Sequence, residues 1–169
     1  MAVCAQDTVR TLKPGNHEFT LRHGGRQRSY IVHVPAGAPG ELPVLLAFHG
    51  GGGNAKGFQA YAELDAVADR EHFLVVYPNG TGLFANRLLT WNAGDNCCGY
   101  ALRNKVNDLG FVATLLGDLQ NRTQVDRRRV YATGHSNGGI FANRLGAGRS
   151  GIIAAIAPVA GALDLKSFA

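Results

Sequence analysis

Val130-Tyr131-Ala132-Thr133-Gly134-His135-Ser136-Asn137-Gly138-Gly139 is the stretch that decides the fold of this chain. Four strand-forming residues run straight into Gly-His-Ser-Asn-Gly, and residues 140–145 continue with helical spacing. A serine set at a sharp strand-to-helix turn is held with its Oγ exposed, and flanking glycines let neighbouring backbone pass without a Cβ clash. The helix that starts behind it adds positive potential where negative charge would develop. The pattern predicts Ser136 as a nucleophile and places it at the carboxyl end of a strand.

Outward from this turn, Val44-Leu45-Leu46-Ala47-Phe48 and Phe73-Leu74-Val75-Val76-Tyr77 are continuous apolar runs, as strands buried on both faces require. Ile152–Val159 reads as a further buried strand. Glu18–Leu21 and Ser29–Val34, joined through His23-Gly24-Gly25-Arg26, read as an N-terminal hairpin. Between the strands, Phe58, Tyr61, Leu64 and Ala68 recur at helical spacing. So do Leu109, Val112, Leu115, Leu116 and Leu119, with Asn107 as N-cap. Alternating buried strands and amphipathic helices predict an α/β fold with a mostly parallel sheet and flanking helices. Ligands bind such sheets at the carboxyl ends of the strands, where the glycine clusters at 50–53 and 134–151 fall.

His49-Gly50-Gly51-Gly52-Gly53 follows the first buried strand. An oxyanion hole needs two backbone N–H donors, one after the nucleophile and one from this earlier loop. The expected pair is Asn137 and Gly51. A phosphate-binding loop would need Gly-Lys-Ser/Thr, whereas Ala55-Lys56-Gly57 stands here, and no acidic residue ends the second buried strand as a dinucleotide site would require.

Composition narrows the remaining classes. The chain has 169 residues, 46% hydrophobic and 17% charged, with 23 glycines and a net charge of +5. That content excludes intrinsic disorder, and no apolar run of roughly 18 residues exists to span a membrane. Arg127-Arg128-Arg129, between Asp126 and Val130, reads as a solvated turn rather than a nucleic-acid contact. The three cysteines, Cys4, Cys97 and Cys98, form no Cys-x-x-Cys pair, so no metal site is expected. Residues 1–7 lack the charged and apolar regions of a signal peptide.

Tyr30-Ile31-Val32-His33-Val34-Pro35, His49–Asn54, Ala66–Glu71, Val75-Val76-Tyr77-Pro78, Trp91-Asn92-Ala93-Gly94 with Cys97-Cys98-Gly99, Val130–Gly139 and Ala157–Gly161 together resemble a known family. It is that of secreted polyhydroxybutyrate depolymerases and feruloyl or acetylxylan esterases, within the α/β-hydrolase fold. The resemblance implies a cofactor-free carboxylic ester hydrolase, secreted or periplasmic, acting through an acyl-serine on small acyl, aryl or polyester-type esters. It also implies that the loop from Trp91 to Cys98 borders the pocket. Gly50, His135 and Trp91 are the expected substrate contacts, with Trp91 either a pocket wall or plain core. A disulfide through Cys97-Cys98, with Cys4 the non-adjacent partner, follows from the resemblance, and free thiols are the alternative. Asp108 looks like the family's helix-start acid, which an N-terminal dipole role explains without chemistry.

One departure matters. The fold's triad runs serine, then acid, then histidine. Here His17, His23, His33, His49, His72 and His135 all precede Ser136, and Asp164 is the one acid after it. Asp164 sits too near the last strand to be the triad acid. The expectation is therefore a single, incomplete domain over residues 1–169, truncated after about its sixth strand. Its general base would be non-standard, with His49 a substitute, or come from a second chain. His135 adjoins the serine, but successive side chains on an elbow diverge, so it is a weaker substitute than His49; His17, His23, His33 and His72 read as surface groups. An uncovered strand would favour a homo-oligomer through the sheet edge. The alternative is a catalytically impaired fragment, an ester-binding module that keeps the elbow without turnover.

Overall fold

In the computed structural model, which describes residues 11–95 and 97–163, β1 (Gly15–His23) and β2 (Arg26–Val34) pair antiparallel from Gly15↔Val34 to His23↔Arg26. Gly24 and Gly25, at φ +56 and +74, supply the left-handed pair that a tight hairpin turn needs. The chain continues through β3 (Leu42–Phe48), α1 (Ala55–Ala62), α2 (Leu64–Glu71) and β4 (Leu74–Pro78). Then come α3 (Tyr100–Arg103), α4 (Asp108–Gln120), β5 (Val125–His135), α5 (Asn137–Gly148) and β6 (Ala155–Val159).

These strands make one six-stranded sheet in the order β1-β2-β4-β3-β5-β6. β4, β3, β5 and β6 are mutually parallel, while β2 joins β4 antiparallel. Side chains of β3 and β4 alternate between two cores, which is why both strands are apolar throughout. Val44, Leu46, Phe48, Leu74 and Val76 pack with Phe111, Leu115 and Leu119 of α4 and Phe141 and Leu145 of α5. Ala47, Val75 and Tyr77 pack with Ala55 and Ala68 of α1 and α2 on the other face. The carboxyl ends of β3 and β5 thereby converge, with Phe48 paired to Gly134.

Asn107 caps α4 as its sequence position predicts, its side chain accepting the Gly110 N–H. Three local expectations are corrected. The single helix expected across residues 58–68 is two helices, because Glu63 takes a left-handed conformation (φ +51) that ends α1 and turns the chain into α2. Tyr61, on the last turn of α1, is 73% exposed. Arg127–Arg129 lie within β5 instead of a turn. The register shifts between Leu42↔Val125 and Val44↔Val130, and this irregularity carries the arginines out into solvent. β6 starts at Ala155, not Ile152, and its residues are largely exposed, since it pairs only with β5 at the edge of the described sheet.

Candidate active site

β5 delivers Ser136 to the elbow at φ +52, ψ −118, a strained backbone for a residue with a Cβ. Its N–H donates to Val159 O (2.9 Å), tying the turn to the end of β6. The glycines around it answer a steric demand. A Cβ on Gly134 would lie 2.5 Å from Gly138 O, and one on Gly138 would strike Phe48 O and come within 2.5 Å of His49 O. The start of α5 thus rides directly on the end of β3.

That contact brings the second glycine cluster to the serine. A Cβ on Gly50 would sit 3.2 Å from His135 Nδ1 and 3.8 Å from Ser136 Cβ, and one on Gly51 3.5 Å from Asn137 Cβ. The loop's own bonds use its later amides: Gly52 N–H donates to Leu89 O (2.8 Å) and Gly53 N–H to Gly50 O (3.0 Å). Among the described residues the Gly51 N–H donates to nothing. Asn137 is the first residue of α5, so its N–H has no intrahelical acceptor. Two uncommitted donors therefore flank Ser136.

His49 is almost fully buried and both its nitrogens are spent. Nδ1–H donates to Gly50 O (2.8 Å), and Nε2 accepts the Gly80 N–H (3.0 Å). Burial lowers its pKa to about 4, so the ring is neutral near pH 7. A neutral ring with no free lone pair is no base for Ser136, and the substitute-base expectation fails on this geometry. His49 instead fixes the start of the glycine loop. The unfolded histidine protonates below about pH 6.5 while the native ring resists until about 4. Stability therefore falls across that window by about 3 kcal/mol and is flat above it. Chemical denaturation at pH 7 and pH 5 is expected to show about 2 kcal/mol of this loss in the wild type, since pH 5 lies part-way through the window, and a flatter dependence in His49→Gln.

Trp91, expected at the pocket, is fully buried. It stacks on Phe141 (5.2 Å), meets Phe48 edge-on (5.1 Å) and donates Nε1–H to His49 O (3.0 Å). It is core, and positions the end of β3. The Asn137 side chain has a role the sequence does not advertise. Its Oδ1 accepts the Trp91 N–H (2.8 Å), and its Nδ2 donates to Trp91 O (3.2 Å) and Cys97 Sγ (3.1 Å). One residue thus offers an amide to the site and clamps the loop beside it.

Behind that loop lies a buried ion pair. Arg28 donates to Asp108 Oδ1 (2.8 Å) and to Asn79 O (3.0 Å), and lies 3.7 Å over the Phe111 ring. Asp108 Oδ2 accepts the Asn92 N–H (2.8 Å), one residue past Trp91. Desolvation pulls the Asp108 pKa up and the Arg28 pKa down, each opposed by the other's charge. The acid is therefore a structural anchor as well as the first-turn residue of α4. Arg28→Met is expected to cost about 3–5 kcal/mol by stranding a buried carboxylate. Denaturant melts should show that loss, and adding Asp108→Leu should recover part of it.

Around the serine, the half-buried His135 ring lies 6.0 Å from the exposed Tyr61. Leu83, Phe84 and Leu88, also exposed, belong to the segment that the Gly52–Leu89 bond ties to the glycine loop. A groove of about 990 Å³ between the hairpin and the start of α1, lined by Phe19, Gln27, Tyr30, Asn54, Lys56 and Asn86, does not include Ser136. No described histidine hydrogen-bonds to Ser136. His33, expected on the surface, is buried between Asn16 (2.8 Å) and Asp69 (2.9 Å). Cys4 and Asp164 lie outside the described residues.

Residues 28–165 match the family described as Esterase PHB depolymerase. The chain belongs to this family. Among curated relatives, it is 33% identical over 143 residues to NocK of Nocardia uniformis subsp. tsuyamanensis, which is named an esterase, covering 82% of this chain and 39% of NocK. It is 29% identical over 141 residues to the bifunctional acetylxylan esterase/xylanase XynS20E of Neocallimastix patriciarum, covering 83% of this chain and 19% of that protein. A solved ferulic acid esterase superposes with a TM-score of 0.64 at 20% identity, covering 83% of this chain and 57% of that one. The chain thus spans from about a fifth to just over half of these proteins, and its fold is the α/β-hydrolase fold of esterases. No helix among the described residues is long and apolar enough to cross a membrane.

Proposed function

We propose that this PHB-depolymerase-type chain carries the nucleophile and oxyanion half of a carboxylic ester hydrolase. Ser136 Oγ attacks the ester carbonyl, and the oxyanion is received by the N–H groups of Gly51 and Asn137. Collapse expels the alcohol and leaves an acyl-serine, which water then hydrolyses. The observation that carries this reading is the strained backbone of Ser136 beside two uncommitted amides. Gly50 and His135 border the reacting carbonyl, and the apolar side chains at Tyr61, Leu83, Phe84 and Leu88 suit an acyl, aryl or polyester-type substrate. The reading needs no cofactor or metal, and family membership favours an exported protein. The exposed β6 edge is where a second copy would pair.

A second reading has its own support, because no described histidine reaches Ser136. Without a base to take the serine proton, acylation and hydrolysis would both be slow, keeping about 10³–10⁴-fold catalysis over water. A fluorophosphonate probe and p-nitrophenyl acetate separate the two. Labelling with many turnovers supports the hydrolase. Slow labelling with few turnovers supports the impaired form, and absence of labelling overturns both.

A further inference from the structure

Beside the elbow, Cys97 and Cys98 turn their sulfurs toward each other, 3.0 Å apart. Both are free thiols, Cys98 exposed and Cys97 partly so. The backbone that presents them is fixed at each end. Cys97 N–H donates to Gly94 O (3.3 Å), and Gly99, at φ +96, lies so close to Thr90 that a Cβ there would meet Thr90 Oγ1 at 2.8 Å. Thr90 Oγ1 in turn accepts the Ala101 N–H (3.0 Å). Among the described residues no third His, Cys, Asp or Glu joins the pair to hold a metal. The Nδ2 of Asn137 donates to Cys97 Sγ (3.1 Å), which connects the thiols to the residue after Ser136.

We propose that Cys97 and Cys98 are a vicinal dithiol modification site, closed to a disulfide ring by a low-molecular-weight disulfide, and that closure slows chemistry at Ser136 through Asn137. One thiolate attacks the small disulfide and releases the first small thiol. The neighbouring cysteine then gives up its proton and displaces the second. Two protein thiols are oxidised, one small disulfide is reduced to two thiols, and no other reactant is needed. Cα atoms of adjacent residues stand about 3.8 Å apart, short of the usual span of a relaxed disulfide, so the ring is readily reduced again. Closure draws the sulfurs from 3.0 Å to about 2.05 Å. The contact with the Asn137 amide must absorb that movement of about 1 Å.

The coupling to Ser136 rests on the reading under Proposed function, whereas the ring itself does not. The test uses the full chain with Cys4→Ser, oxidised with glutathione disulfide. Peptide mass spectrometry is expected to show the 97–98 peptide losing two hydrogens, with recovery in dithiothreitol. Fluorophosphonate labelling of Ser136 should slow by about 3- to 10-fold, the effect of weakening one hydrogen bond. Cys98→Ser should form only a mixed disulfide with glutathione. Stable glutathione adducts or cross-linked dimers in place of the ring overturn the site. A ring with unchanged or faster labelling overturns the coupling. Failure of the reduced protein to label at all overturns the nucleophile instead, leaving the mass readout to judge the ring.

Discussion

Ser136→Ala is expected to abolish fluorophosphonate labelling completely and remove any burst of p-nitrophenol from p-nitrophenyl acetate. The hydroxyl is the one atom lost, and it makes no hydrogen bond to another described residue, so stability should move by less than about 0.5 kcal/mol. Ser136→Gly gives the sharper control. Glycine tolerates φ +52 without a Cβ penalty, so this variant should be equally dead to the probe yet more stable by about 1 kcal/mol. Denaturant titration and probe labelling on the same samples separate chemistry from folding. Equal labelling in wild type and Ser136→Ala would end the nucleophile proposal.

The largest structural loss is expected from Gly138→Ala. Its new methyl would be driven into the carbonyl oxygens of Phe48 and His49, rigid backbone that cannot swing aside. Overpacking of this kind costs about 3 kcal/mol or more, and here it also pushes the start of α5 away from the Gly50-Gly51 loop. Labelling should fall with stability. Gly117→Ala in α4 meets nothing within 4 Å, so the same substitution there should stabilise by about 0.5–1 kcal/mol. Opposite signs for one chemical change would locate the effect at the β3–α5 contact. A melting temperature unaltered by Gly138→Ala would refute this account of the elbow.

The glycines at 134, 138 and 139 were legible because they mark a backbone geometry: a Cβ at each would collide with neighbouring carbonyl oxygen. The same holds for the buried strands and for Asn107, whose cap depends on residues three positions away. Asn137 was legible only as an amide. Its side chain clamps Trp91, 46 residues distant, and no local pattern encodes so distant a partner. Arg28 escaped notice for the same reason, since its carboxylate lies 80 residues along the chain. The stripe at 58, 61, 64 and 68 misled because helical periodicity assumes an unbroken helix, and one left-handed residue at Glu63 resets the phase between α1 and α2.

The sequence alone determined the family, the alternation of strands and helices, and the elbow that carries Ser136, because each depends on short-range spacing and on where a Cβ fits. Tertiary structure decided which groups remain chemically free. It spent both nitrogens of His49 on Gly50 and Gly80, buried Trp91 in the core, and left the Gly51 and Asn137 amides without acceptors among the described residues. Protonation state and hydrogen-bond availability are set by whatever packs against a group. Only the folded chain supplies those neighbours.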